Sequence, residues 1–127
     1  MIRPILEYCD SVWSCCGEVN SQSLERLQNR AARIVTKCSR SAPALDILKW
    51  PALTDRRNYN TLKVVKKCLK GRCPQYFNNY FVFNRDRCIR TTRQSNNLHL
   101  PKVKTEFGKR SFYYHGCQIF NTYNNNS

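Results

Sequence analysis

The sequence predicts a mainly α fold, a small irregular helical bundle with a loop-rich C-terminal third. Three observations carry this. Apolar residues recur at helical spacing over residues 2–16, 24–38 and 59–69. Two of these runs meet helix punctuation at their ends: Ser39 to Pro43 breaks the second, and Gly71 with Pro74 stops the third. Strand signals are weak, since the one alternating stretch, NLHLPKVK, contains Pro101 and cannot form a central strand.

The first helical face is Ile2, Ile5, Leu6, Cys9, Val12, Trp13 and Cys16. Pro4 fits only a first turn, so this helix should begin near Arg3. An apolar helix starting almost at Met1 reads as a chain cut from something longer. Asn20 and Ser21 are suited to cap the second helix, with Glu25 in its positively polarised first turn. Its apolar face is Leu24, Leu27, Ala31, Ile34, Val35 and Cys38. At about 100° per residue, Arg26, Arg30, Arg33 and Lys37 fall within roughly 60° of one another, about 120° from the apolar stripe.

Ala44 to Trp50 reads as a short helix ending before Pro51. Thr54 should cap the third long helix, with Leu53 as its staple residue. This helix repeats the design of the second. Tyr59, Leu62, Val65 and Leu69 form an apolar face, and Arg56, Lys63, Lys67 and Lys70 a neighbouring basic one. The aromatic-rich stretch from Pro74 to Phe83 should be a short helix or turn packed on the bundle. Residues 84–97 are polar and without period, a loop. Ser111 to Asn121 can form a final helix with Phe112, Gly116, Ile119 and Phe120 on one side, and TYNNNS has no drive to fold. The expected organisation is a helical segment, 1–83, followed by a basic loop, short helix and disordered tail, 84–127.

Charge narrows the function. Twenty-two Lys and Arg face eight Asp and Glu, a net charge of +14. Residues 1–20 hold one basic and three acidic residues, net −2, so residues 21–127 carry +16. Such an excess opposes compaction unless an anionic partner neutralises it. Nucleic acid is the commonest such partner; an acidic protein face and an anionic membrane surface are the others. No apolar run approaches the roughly 18 residues of a membrane span, and MIRPILEYCDSVW lacks the order of a signal peptide. The expected location is intracellular, nuclear or cytoplasmic.

Eight cysteines in 127 residues lie below the roughly 8–10 % typical of disulfide scaffolds, and several occupy core positions of the expected helices. They read as reduced thiols, with a secreted disulfide-rich basic protein as the alternative. The nearest zinc-like groupings, Cys68 with Cys73, Cys88 with His99 and His115 with Cys117, lack the usual spacings. No Cys–His pair stands out as a catalytic dyad. The carboxylates Glu7, Asp10, Glu18, Glu25, Asp46, Asp55, Asp86 and Glu106 are scattered, whereas phosphoryl transfer by paired metals needs them clustered. There is no Gly-rich phosphate loop. No catalytic residues and no metal ligands are therefore assigned. The two basic helix edges, Arg26, Arg30, Arg33 and Lys37 with Arg56, Lys63, Lys67 and Lys70, are the candidate nucleic-acid-binding residues, joined by Arg72, Arg85, Arg87, Arg90 and Arg93. Arginine predominates among the cations, which suits bidentate contact with phosphates.

Four segments in order, IRPILEYCDSVW, LERLQNRAARIV, LKWPALTDRRNYNTLKVVKKCLKG and LHLPKVKTEFGKRSFYYHGCQIFN, resemble the C-terminal region of reverse transcriptases of non-LTR (LINE-type) retrotransposons of the jockey-like and CR1-like kind. The matching residues are Arg3, Pro4, Glu7, Tyr8 and Trp13; Leu24, Glu25, Gln28, Arg30 and Arg33; Leu53, Arg56 and Arg57; and Ser111, Phe112, Phe120 and Asn121. The resemblance covers residues 2–121 and implies the thumb and post-thumb region, downstream of the palm. The parent would be an RNA-directed DNA polymerase using Mg²⁺, usually with an endonuclease. The family's Tyr-x-Asp-Asp type motif has no counterpart here, and after Asn121 the sequence departs from the family pattern, as expected of a truncated or decayed remnant. The expectation is a fragment inactive alone, with no cofactor of its own. Its partners would be the missing palm and fingers and RNA–DNA or DNA bound through non-specific phosphate contacts, not a membrane. The alternative is a free-standing helical interaction module that binds an acidic protein.

Overall fold

A computed structural model describes residues 7–77 and 79–125. Among them, seven α-helices and one 3-10 helix follow in order. These are α1 (Asp10–Trp13), α2 (Glu18–Thr36), α3 (Ser41–Leu48), α4 (Leu53–Leu69), the 3-10 turn Gln75–Phe77, α5 (Asn84–Arg87), α6 (Glu106–Lys109) and α7 (Phe112–Asn125). The only extended pairing described is an isolated antiparallel bridge between Phe83 and Leu98. The fold is mainly α. No helix of the described residues is long and apolar enough to cross a membrane.

Two compact units divide the chain, Met1–Tyr59 and Asn60–Ser127. The division falls inside α4 rather than at residue 83. Val65 and Cys68 on the second half of α4 share a core with Phe81, Leu98 and Cys117, which binds residues on both sides of position 83 into one unit.

In the first unit, the expected helix over 2–16 is described only from residue 7 onward; Ile2, Ile5, Leu6 and the Arg3–Pro4 start lie outside the described residues. Cys9, with φ 50°, interrupts the remainder, and α1 is a single turn. The α2 helix begins at Glu18, with Gly17 at its N-cap, ahead of the Asn20–Ser21 start expected from capping preference. Glu18 sits where the helix dipole favours an anion and accepts a 3.0 Å bond from Gln22 Nε2 one turn on. The α2 and α3 helices pack against each other. Pro43 lies in the first turn of α3, where its missing N–H is harmless. Lys49 closes α3 in the left-handed region, and Trp50 N–H returns to Leu45 O.

The start of α4 is capped from another helix. Leu53 N–H donates to both oxygens of the Glu25 carboxylate, at 3.2 and 3.1 Å. Thr54, the expected cap, is exposed inside the helix.

In the second unit, α4 ends at Gly71 as expected: φ is +66°, and Arg72 N–H reaches back to Lys67 O. Buried Val65, Cys68, Phe81, Leu98 and Cys117 form the core, flanked by Phe77, Phe83, Phe112, Tyr113 and Phe120. Gly116 is buried where a Cβ would lie 3.0 Å from Val65 Cγ2, so α7 and α4 approach closely there. The stretch 98–103 is held without forming a sheet. Leu98 N–H donates to Asn121 Oδ1 at 2.7 Å, and Asn121 Nδ2 donates back to Leu98 O at 2.9 Å. The C-terminal segment expected to be disordered is helical as far as Asn125. Asparagine side chains supply its anchors: Asn97 Nδ2 donates to Asn125 Oδ1, and Asn124 Nδ2 donates to Asn97 Oδ1.

Candidate nucleic-acid interface

Three faces run along α2. The buried face is Gln28, Ala31 and Ala32, with Leu24 and Glu25 half-buried beside them. This corrects the expected apolar stripe, because Leu27, Ile34 and Val35 are 53, 69 and 61 % exposed. Small alanines set the packed side, while Gln28 donates from Nε2 to Pro51 O at 3.2 Å and accepts from Arg56 through Oε1. The second face is basic. Arg26, Arg30, Arg33 and Lys37 are all exposed, and none of them forms an ion pair among the described residues. The third face, Leu27 and Ile34, lies between the other two.

The helix's own carboxylates leave this row alone, since Glu18 is bonded to Gln22 and Glu25 to Leu53 N–H. Lys37, at φ 56°, ends the helix, where exposed carbonyls favour cations. Around that end Arg30, Arg33, Ile34, Lys37, Cys38 and Ser39 line an open groove of about 450 Å³. Three cations converging on a shallow groove present a surface fit for phosphate oxygens, which Arg binds bidentately.

The second basic edge is divided. Lys63, Lys67 and Lys70 are exposed on the half of α4 that belongs to the second unit. Arg56 is not part of that surface. It is 8 % exposed, its Nη1 lies 2.7 Å from Glu7 Oε1, and its Nη2 donates to Gln28 Oε1. A guanidinium held on two sides inside the fold cannot reach a phosphate, so Arg56 leaves the candidate set. Neighbouring Arg57 is 2 % exposed and stacks over the Trp13 ring at 4.5 Å, while Trp13 Nε1 donates to Tyr8 O at 2.6 Å.

Glu7, Trp13, Glu25, Gln28, Leu53, Arg56 and Arg57, on which the reverse-transcriptase resemblance partly rests, are thus buried or half-buried in one unit, whereas Tyr8 is 76 % exposed and contributes only its backbone carbonyl. Among the described residues, Arg30 and Arg33 are the basic members of that pattern that face solvent. Asn121 is a structural member too, through its two bonds to Leu98.

The carboxylates stay dispersed. Among the described residues, no three His, Cys, Asp or Glu side chains come together as a metal site. All eight cysteines are free. Cys68 and Cys73 do meet, Sγ to Sγ at 3.1 Å. Burial first, then the Cys73 thiol, pushes the Cys68 thiol up to about 12, and burial raises Cys117 to about 12. Both are core thiols poorly disposed to ionise. His115 is held below its usual value by burial, with no acidic partner among the causes.

No protein-family model matches the chain, and neither a curated protein nor a solved structure does.

Proposed function

We propose that this chain is a non-catalytic, nucleic-acid-contacting helical segment of a LINE-type retrotransposon reverse transcriptase, whose polymerase chemistry belongs to a palm elsewhere. The observation that carries the reading is the row Arg26, Arg30, Arg33 and Lys37, exposed along one edge of a 19-residue helix and without carboxylate partners among the described residues. Such a row follows a phosphodiester chain without reading its sequence. Lys63, Lys67 and Lys70 supply a second set of exposed cations.

Reversing Arg26, Arg30, Arg33 and Lys37 to Glu tests it. Binding to an RNA–DNA duplex at moderate salt should be abolished while helix content by circular dichroism is retained. Unchanged binding removes the row from the account. Six to ten phosphate contacts would weaken affinity by roughly 10³- to 10⁵-fold between 50 and 200 mM salt. An assay with template, primer and Mg²⁺ should give no DNA synthesis from this chain alone.

A second reading, a helical module for an acidic protein, draws on one observation: Leu27 and Ile34 are exposed directly beside the cations. That pairing suits an amphipathic acidic helix. Displacement of bound duplex by heparin, with no preference for nucleic acid over an acidic peptide, would favour it.

A further inference from the structure

The second unit carries a ladder of aromatic rings with one end in the core and the other in water. Phe81 anchors the inner end, 6 % exposed, with edge contacts to Phe112 at 6.0 Å and Tyr113 at 5.9 Å. From there Tyr113 meets Tyr80 edge-on at 5.3 Å, Tyr80 meets Phe77 at 5.5 Å, and Phe77 meets Tyr76 at 4.4 Å. Core packing accounts for Phe77, Phe81, Phe112 and Tyr113. It does not account for Tyr80 and Tyr76, which remain 42 and 66 % exposed. Each open ring is braced by the one behind it, so its exposed surface is presented at little further entropic cost.

Positive charge flanks the same region. His99 N–H donates to Val82 O at 2.8 Å, tying the 98–100 stretch to the chain just after Phe81. Arg87 and Lys102 lie on the two segments that this bond and the Phe83–Leu98 bridge join, four residues beyond Phe83 and three beyond His99. Arg87 and Lys102 are exposed and form no ion pair among the described residues. The carboxylates closest in sequence are engaged elsewhere, Asp86 with Arg85 and Glu106 with Lys109.

We propose that the open aromatic edge of Tyr76 and Tyr80, with Arg87 and Lys102, is a stacking site for the unpaired bases of a single-stranded nucleic acid. The rings take base faces and the cations take the intervening phosphodiesters. This deepens the nucleic-acid reading above and rests on it. A duplex hides its base faces and has no use for exposed rings. The basic row of α2 carries no aromatic residue and touches phosphates alone. The two surfaces therefore serve different states of nucleic acid.

The test uses the full chain and two probes, an oligouridylate of about twelve nucleotides carrying 5-iodouridine and an RNA–DNA duplex of equal length, matched to the roughly 4–16 nucleotides of single-strand sites. Tyr76→Ala and Tyr80→Leu are compared, because Leu keeps apolar bulk against Phe77 and Tyr113 while removing the π face. Each should weaken oligouridylate binding about five- to hundredfold, the range expected for loss of one base stack, and change duplex binding less than twofold. Long-wavelength irradiation should cross-link iodouridine to Tyr76 or Tyr80. Equal losses on both probes, or cross-links confined to α2 with Tyr80→Leu binding normally, overturn this inference and leave the α2 row intact. Failure of wild-type chain to bind either probe overturns both. An acidic peptide that occupies the patch while oligouridylate does not would make it a protein-docking surface and overturn the stacking site.

Discussion

The Arg56 guanidinium lies 2.7 Å from the Glu7 carboxylate and donates to Gln28 on its other side, so a cation that the sequence places on a phosphate-binding edge is part of the interior. The pair is largely shielded, with side-chain exposures of 9 and 27 %. Removing one member takes a close counter-charge from the other, and breaking a buried pair in this way costs up to about 3–5 kcal/mol. Arg56→Ala should therefore lower the denaturant midpoint of the first unit by a corresponding amount. At a salt concentration where the variant is folded, its affinity for an RNA–DNA duplex should match wild type. Arg30→Glu should do the reverse, weakening binding with little change in unfolding. If Arg56→Ala loses affinity without losing stability, its assignment to the interior is wrong.

Much of the helical outline was legible in the sequence, while the choice of inward faces was less so. The 3.6-residue period located α2 and α4, and Gly71 located the end of α4. The inward face of α2 was misplaced because hydropathy ranks Leu27, Ile34 and Val35 above Gln28 and the alanines. Helix packing instead selected the side where small residues allow close approach and where Gln28 meets Arg56. That partner is 28 positions away, and Glu7 is 49 positions from Arg56, beyond any local pattern. The same limit hid Glu25 as the cap of α4. The final helix is legible over Ser111–Asn121, but its last turn, Thr122–Asn125, is not, because Asn-rich composition reads as solvated, yet Asn121, Asn124 and Asn125 find partners at Asn96, Asn97 and Leu98. Of the eight candidate contact residues, seven are exposed and Arg56 is not. Tyr76 and Tyr80 were visible only as members of an aromatic-rich stretch, since no sequence pattern separates a ring facing the core from one facing water.

Asn121 acts as a one-residue strand partner for Leu98, with its amide satisfying both the N–H and the C=O of a buried backbone unit. Asn121→Ala leaves both groups unpaired, and each buried orphan costs about 1–3 kcal/mol. Asn121→Asp keeps the acceptor for Leu98 N–H but turns a second oxygen toward Leu98 O. The expected order of stability by urea unfolding is Asn, then Asp, then Ala. Mild acid should recover part of the Asp variant's loss, because a protonated carboxyl can again donate. Identical curves for Asn and Ala would show that water replaces both bonds.

Gly116 permits the close approach of α7 to α4. A Cβ there meets Val65 Cγ2 at 3.0 Å and Phe81 Cε1 at 3.4 Å, and both neighbours belong to the core. Gly→Ala inside a helix would gain up to about 1 kcal/mol of propensity, which offsets part of the crowding. Gly116→Val adds two further methyl groups with no room for them, and overpacking of this kind costs typically about 1–3 kcal/mol. Thermal melts should rank Gly116→Val well below wild type with Gly116→Ala between them. A Val variant as stable as wild type would mean that α7 can move off α4 without loss.

Burial holds His115 below its usual pKa, and burial with the Arg87 and Lys102 cations does the same for His99. An unfolded histidine titrates near 6.5, so as pH falls through that value the unfolded chain takes up protons before the folded one does. Stability contributed by the neutral imidazoles is complete above about pH 7 and is lost progressively as pH drops through about 6.5 toward the lower folded pKa. The melting temperature should therefore decrease between pH 7.5 and 5.5, a window above the ordinary range of the carboxylates. His115→Gln removes one titrating group while keeping a polar side chain of similar reach, and should flatten that decline at some expense in stability at pH 7.5. A melting temperature that rises on acidification over this window would require a histidine stabilised in its charged form, and the burial of His115 would then not govern its titration.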